Sequence, residues 1–213
     1  MNVRRYSRCL FHLLVLFFLL LPSACLKSPV PNALYTLHAT EEKPLGNEFV
    51  NFKDMILVMP VRMAPQLQNR GLLYQHSPNE AKSAANHLWA GPLDQQIAAS
   101  ITANLKILLA TDNVAVFPGP RFGKTRYQVE VEIQDFSGDA NSFSISAVYT
   151  ISDNTSYTIL QRKSFQQRQI NTPAGFSGYA ASASSALGAL SREVSLALIT
   201  AHRSQTDTSG LMQ

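Results

Sequence analysis

The sequence predicts a single α/β domain, a mixed β-sheet with antiparallel hairpins whose middle strand is covered on both sides by two long helices. Three observations carry this. Met55-Ile56-Leu57-Val58-Met59 is apolar at successive positions, as in a strand buried on both faces. Tyr127, Val129, Val131 and Ile133 alternate with Gln128, Glu130 and Glu132, and Phe143, Ile145, Ala147, Tyr149 and Ile151 alternate likewise after a short turn. Leu93, Ile97, Ile101, Leu105 and Leu108, and later Tyr179, Ala183, Leu187, Leu190, Val194 and Leu198, recur at helical spacing.

Before the domain, residues 1–24 have the order of an export signal. Arg4, Arg5 and Arg8 lead an apolar run from Leu10 to Leu21, which ends in Pro22-Ser23-Ala24. The run is shorter than the about 18 residues of a spanning helix, and Pro22 breaks it, so it reads as cleaved. Pro22 fits an A-x-A-like site poorly. Leu21-Pro22-Ser23-Ala24-Cys25 instead resembles a lipobox, in which the Cys25 thiol takes a diacylglycerol group and becomes the mature N-terminus. The plain alternative is an incidental cysteine at the end of a signal. Each buried CH2 of an acyl chain contributes about 0.8 kcal/mol, so two or three chains hold a protein on a leaflet without a spanning helix. Leu26 follows in place of the Asp that usually retains lipoproteins in the inner membrane, which by that resemblance directs the chain to the outer membrane.

Residues 25–34 carry two prolines and no periodicity, as a lipidated N-terminus and tether would. Domain elements then follow from residue 35 to 203. Tyr35-Thr36-Leu37-His38 is a short first strand, Met55–Met59 a central one, and Gly71–Gln75 a third, ended by the turn Ser77-Pro78-Asn79. Asn86-His87-Leu88-Trp89-Ala90-Gly91-Pro92-Leu93-Asp94-Gln95-Gln96 opens a helix running to about Ala110, with Pro92 in the first turn and Asp94 at the positive end of the dipole. Val114–Phe117 is a strand, and three hairpin strands occupy 127–133, 143–151 and 157–165. After Pro173-Ala174-Gly175 a last helix runs from Phe176 to His202. The polar segment 204–213 is expected to be a disordered tail.

Charge and cysteine usage exclude several function classes. The whole chain has 18 basic and 14 acidic residues. Loss of the signal removes three arginines and no acid, leaving 15 against 14, which removes the case for nucleic acid. Cys9 leaves with the signal, so Cys25 is the only cysteine of the mature chain, and neither a disulfide nor a cysteine metal site is available. The histidines His38, His76, His87 and His202 show no ligand spacing, and no metal or cofactor is expected.

The remaining motifs are weak as chemistry. Gly119-Pro120-Arg121-Phe122-Gly123-Lys124-Thr125 is one residue short of a P-loop and runs into a strand pattern, so it reads as a basic turn. Gly175-Phe176-Ser177-Gly178 resembles a nucleophile elbow but has Tyr179 where the second Gly belongs. A hydrolase using Ser177 is the alternative function; the chain is otherwise read as no enzyme. The Trp89 segment has two readings. Trp89 anchors the helix entry against the sheet, or Trp89, Pro92, Asp94 and Gln95 form a partner or oligomer contact extended by Leu72, Leu73 and Tyr74.

The stretch from Asn86 to Gln96, followed by Thr102-Ala103-Asn104-Leu105, resembles the signature of the ABC-type transport auxiliary lipoproteins. Leu73-Tyr74-Gln75 lies at that family's spacing upstream, and Tyr35-Thr36-Leu37 is similar to its Tyr-x-Leu first strand; the 139–160 region shows no family motif. The resemblance implies a three-layer α/β/α fold. It also implies a lipid-anchored outer-membrane lipoprotein facing the periplasm, in a system that moves phospholipid between membranes. The implied partners are a periplasmic MCE-domain protein, an inner-membrane transport subunit and other copies of the chain in a homo-oligomeric ring.

Overall fold

The computed structural model describes residues 31–46, 52–77, 79–120 and 123–210, with side chains to Ser204. The signal peptide, Cys25 and most of the tether read from the sequence lie outside the described residues. Along the chain run β1 (Ala33–Tyr35), β2 (Met55–Val58), β3 (Arg62–Met63), β4 (Gly71–Ser77), β5 (Glu80–Trp89), α1 (Leu93–Leu108), β6 (Val114–Val116), β7 (Thr125–Gly138), β8 (Ser142–Asp153), β9 (Thr158–Ile170) and α2 (Phe176–Gly210). They form an α/β fold with one nine-stranded mixed sheet.

The longest strand, β7, organises this sheet. One of its edges pairs antiparallel with β8 throughout. The other edge pairs in parallel with β2, then β3, then β4. Strand β2 passes the sheet on to β6, β4 passes it to β5 and β1, and β8 passes it to β9. Short turns explain the antiparallel half. Asp139 Oδ1 accepts the Asn141 and Ser142 amides at 2.7 and 2.6 Å, closing the β7–β8 turn as aspartate does in such loops.

The sheet curls as a half-barrel around the helix pair. Tyr127, Val129, Val131 and Ile133 of β7, Phe143 to Ile151 of β8, Ile97, Ile101 and Leu105 of α1, and Leu187, Leu190 and Val194 of α2 share one core. The two helices also pack on each other. The three-layer arrangement is thereby corrected, because both helices lie on the same face. The alternation in β7 supplies one apolar face, so only one face needs a helical cover. Its other face carries Glu130 and Glu132, half-exposed and 3.4 and 3.8 Å from exposed Arg62. On that outer face Met55 and Leu57 of β2 are covered by Ala115, Met59 and Phe117.

Three further expectations change. The first strand ends at Tyr35, and residues 36–45 leave the sheet. Asn86–Trp89, expected to lead into a helix, instead closes β5, and the chain bends before α1 begins at Leu93. The expected tail from 204 continues α2 as helix to Gly210.

Candidate functional site

The segment from Asn86 to Leu105 is a strand, a bend and a helix, and each part has a separate task. Trp89 ends β5 with its amide donating to Arg70 O at 2.8 Å. Its ring is 2 % exposed, 6.1 Å from Phe136 and 6.4 Å from Tyr179. Tyr179 in turn donates its hydroxyl to Leu73 O at 2.8 Å, and burial, with the Asp135 charge adding to it, pushes the Tyr179 phenol up. Trp89 is therefore the centre of an aromatic core that fastens α2 to the sheet.

The chain then bends at Gly91-Pro92 and α1 starts without a side-chain cap at Pro92. Gln96 ties the bend to the helix by donating Nε2 to Gly91 O at 3.1 Å. Its Oε1 accepts the Leu37 amide at 3.0 Å. One turn on, Ser100 Oγ donates to His38 O at 3.1 Å, and the next turn brings Asn104, whose Oδ1 accepts the Thr40 and Glu41 amides at 3.0 and 3.1 Å. Leu108 O accepts the Leu45 amide at 2.9 Å. Residues 37–45 thus form a strap held along α1 at every fourth residue, one helical stripe. Arg192 of α2 binds Glu41 from the other side. At Gly188 the strap comes so close that a Cβ there would strike the Thr40 hydroxyl. The polar stripe Gln96, Ser100, Asn104 was readable at spacing four beside the apolar one.

The exposed side of the bend borders a groove of about 470 Å³ between α1 and the end of β6. Val61, Ala98, Val116, Phe117 and Pro118 give it apolar walls, and Asp94 and Gln95 stand on it. A second recess of about 250 Å³, with Pro92 and Met63, continues it and shares Val61 and Asp94.

The contact residues expected from sequence therefore separate. Pro92, Asp94 and Gln95 lie together on this groove. Leu72 and Trp89 are fully buried and belong to the core, which corrects their assignment to a contact surface. Leu73 and Tyr74 are half-buried at the start of α2, with the Tyr74 ring 6.1 Å from Phe176. Ser177 is exposed on the first turn of α2, and no hydrogen bond joins it to a histidine or carboxylate among the described residues. The nearby His87 ring stacks on Phe176 at 3.9 Å and its Nδ1 lies 2.8 Å from the Tyr35 hydroxyl. Among the described residues no cluster of three His, Cys, Asp or Glu side chains is placed to hold a metal, and no helix is long and apolar enough to cross a membrane.

Residues 35–195 match the family described as ABC-type transport auxiliary lipoprotein component. The intermembrane transport lipoprotein PqiC of Escherichia coli K12 is 33 % identical over 84 residues, 39 % of this chain and 43 % of that protein, and PqiC of Shigella flexneri matches to the same extent. The aligned part spans less than half the length of these relatives. A Xanthomonas campestris protein superposes with a TM-score of 0.67 at 12 % identity, covering 82 % of this chain and 98 % of that one. A further crystal structure, of an uncharacterized protein, gives 0.64 at 22 % identity over 79 % and 99 %. Both likenesses concern the fold.

Proposed function

The chain belongs to the ABC-type transport auxiliary lipoprotein family, and on that premise we propose that it is the outer-membrane lipoprotein subunit of an MCE-type system carrying phospholipid between membranes. In this reading residues 1–24 are removed and Cys25 carries the acyl chains. The domain from residue 35 onward faces the periplasm, and residues 25–34 tether it. A periplasmic MCE-domain protein and an inner-membrane transport subunit are its partners, and the chain docks and guides without making or breaking bonds.

The observation that carries the reading is the groove at the start of α1, where Pro92, Asp94 and Gln95 of the family-like stretch border apolar walls. Such a site, apolar with a single charged rim, suits binding and offers no nucleophile and base in contact. The name of the Escherichia coli relative, an intermembrane transport lipoprotein, supports the same direction.

The test is Cys25→Ser in the producing cell. The parent chain is expected in outer-membrane fractions, with an acylated N-terminal cysteine in the mass spectrum and an MCE-domain protein co-purifying. Cys25→Ser is expected to carry no acyl chain, to keep residues 1–24 and to be absent from outer-membrane fractions. A parent chain that is soluble and unacylated would overturn the proposal.

A further inference from the structure

Tyr157 is the most exposed large apolar side chain among the described residues, at 87 %. The turn that carries it is firmly built, since Asp153 Oδ1 accepts the Thr155 and Ser156 amides at 2.6 and 3.1 Å and the Ser156 and Thr158 hydroxyls are 2.8 Å apart. Yet Tyr157 sits at φ 55°, in the left-handed region that is sterically costly for a bulky residue and that Gly or Asn would fill more easily. Within its own domain the ring gains no burial that offsets this cost. Backbone strain of this kind gathers at ligand clamps.

The ring stands at the rim of a recess of about 470 Å³, a size suited to a small ligand, formed by β2, the start of β7 and the β8–β9 turn. Leu57 of β2 supplies apolar wall, and the other side chains are polar. Asn154 joins them: its Oδ1 accepts Gln128 Nε2 at 2.7 Å, its amide donates to Arg126 O at 2.6 Å and its Nδ2 donates to Thr125 O at 3.4 Å. The Gln128 amide is thereby held in place with its Oε1 unused. The Thr155 and Tyr157 hydroxyls and the Lys124 ammonium also have no partner among the described residues. No carboxylate lines the recess to oppose the Lys124 charge.

This combination selects a class of ligand. A bare phosphate would meet a single cation and leave the ring unused. An apolar peptide side chain would cover Gln128 and Thr155 and leave their polar atoms without partners. A pyranose uses both parts, because its C–H face packs on an aromatic ring while its ring substituents reach neutral donors and acceptors at the side. A carboxylate on that sugar would take the Lys124 charge.

We propose that the Tyr157 recess binds an acidic saccharide, with one pyranose stacked on Tyr157, its hydroxyl or acetamido groups on Gln128 and Thr155, and its carboxylate on Lys124. The recess shares no lining residue with the groove at α1, so this site is additional to the transport reading and does not depend on it.

The test is a titration of the full-length chain, purified from its cells in detergent, followed by saturation-transfer NMR and calorimetry. The probes are the disaccharide of N-acetylglucosamine and N-acetylmuramic acid, a hyaluronan tetrasaccharide, and diacetylchitobiose, which is neutral. At least one acidic probe is expected to bind with a Kd of about 1 mM or tighter, with saturation on its pyranose C–H protons, and diacetylchitobiose about fivefold or more weakly. Tyr157→Asn removes the ring while suiting the left-handed backbone, and is expected to lower the affinity about tenfold or more. Lys124→Gln is expected to bring the acidic probe down to the level of diacetylchitobiose and to leave diacetylchitobiose unchanged. Absence of saturation from every probe at about 10 mM would overturn the proposal, as would binding that survives Tyr157→Asn or that is equal for acidic and neutral probes. Acylation of Cys25 is read on the same samples. An acylated chain that binds no sugar sinks this site alone, whereas an unacylated chain that binds sugar sinks the lipoprotein reading alone.

Discussion

Trp89→Ala is the substitution that most sharply separates core from contact. The ring is 2 % exposed and packs at a tilt against Phe136 and Tyr179, which together with Phe143 form an aromatic group with neighbouring centroids 4.8 to 6.4 Å apart. Truncating a buried Trp to Ala costs about 3–5 kcal/mol, because the neighbours collapse only partly into the cavity. In a domain of this length each 1 kcal/mol shifts the melting midpoint by about 2–4 °C, so a fall of about 10 °C is expected. Trp89→Phe refills part of the space and is expected to recover about half of the loss. Gln95→Ala, at an exposed groove position, is expected to stay within about 0.5 kcal/mol of the parent. Urea unfolding followed by circular dichroism measures all three. A Trp89→Ala chain as stable as Gln95→Ala would refute the packing argument and return Trp89 to the surface.

Asn104→Ala removes the acceptor of two strap amides from a fully buried position and is expected to cost about 2 kcal/mol. Hydrogen exchange should show the Thr40 and Glu41 amides opening while those inside α1 stay protected; equal protection in both chains would mean that Asn104 does not hold the strap. Tyr157→Asn should leave the domain as stable as the parent in urea unfolding, or about 0.5 kcal/mol more stable, since Asn tolerates the left-handed region. A loss of stability would show that the ring is packed within its own domain. Stability should also fall in acid. Burial, with Arg126 adding to it and Asp54 opposing, holds His202 below its ordinary value of 6.5, so its contribution is full above that value and lost as pH falls through the folded one. At Asp139 burial opposes ionisation, but hydrogen bonds from Asn141 and Ser142 and the Arg168 charge outweigh it and lower its pKa, so that contribution is lost in stronger acid. Melting midpoints at pH 8 and 5.5 check the first effect, and His202→Gln should flatten the difference; a parent midpoint that rises in acid would contradict it.

The hairpin strands β7 and β8 were legible because one wet and one buried face write a period of two into the sequence. Strand β5 was not. Of Glu80–Trp89 only Ala84 and Trp89 are buried, so this arm carries little hydrophobic alternation to read. The side on which the helices lie was also misread, for a related reason. A run apolar on both faces, such as Met55–Val58, reports that both faces are covered but not by what, and here the outer cover is Ala115, Met59 and Phe117. At the site, Pro92, Asp94 and Gln95 were found as a group because the bend keeps them consecutive on one surface. Leu72 and Trp89 were misplaced because an aromatic or leucine beside a turn looks the same whether it faces the core or a partner; only the strand register, with Trp89 opposite Tyr35, turns it inward.

This separation changes what the family-like stretch means. Its polar residues Gln96, half-buried, and Asn104, fully buried, do not line the groove; they accept backbone amides of the strap. Strand β1 holds the start of the domain by only three residues of pairing, so by itself it would fray readily. The strap adds bonds at four successive turns of α1 and one ion pair to α2, all of which have to open before the chain between Thr36 and Leu45 can peel away. Because the groove residues Asp94 and Gln95 sit on the first turn of that same helix, the segment entering the domain and the proposed partner groove are carried by one rigid element. A load on the N-terminal chain would reach the groove through α1 without passing through the sheet. Asn104→Ala should therefore weaken co-purification of the MCE-domain protein only when the N-terminus is anchored, and leave it unchanged in chain cut free of its anchor within the 25–34 tether; equal weakening in both would assign the effect to a general loosening of α1.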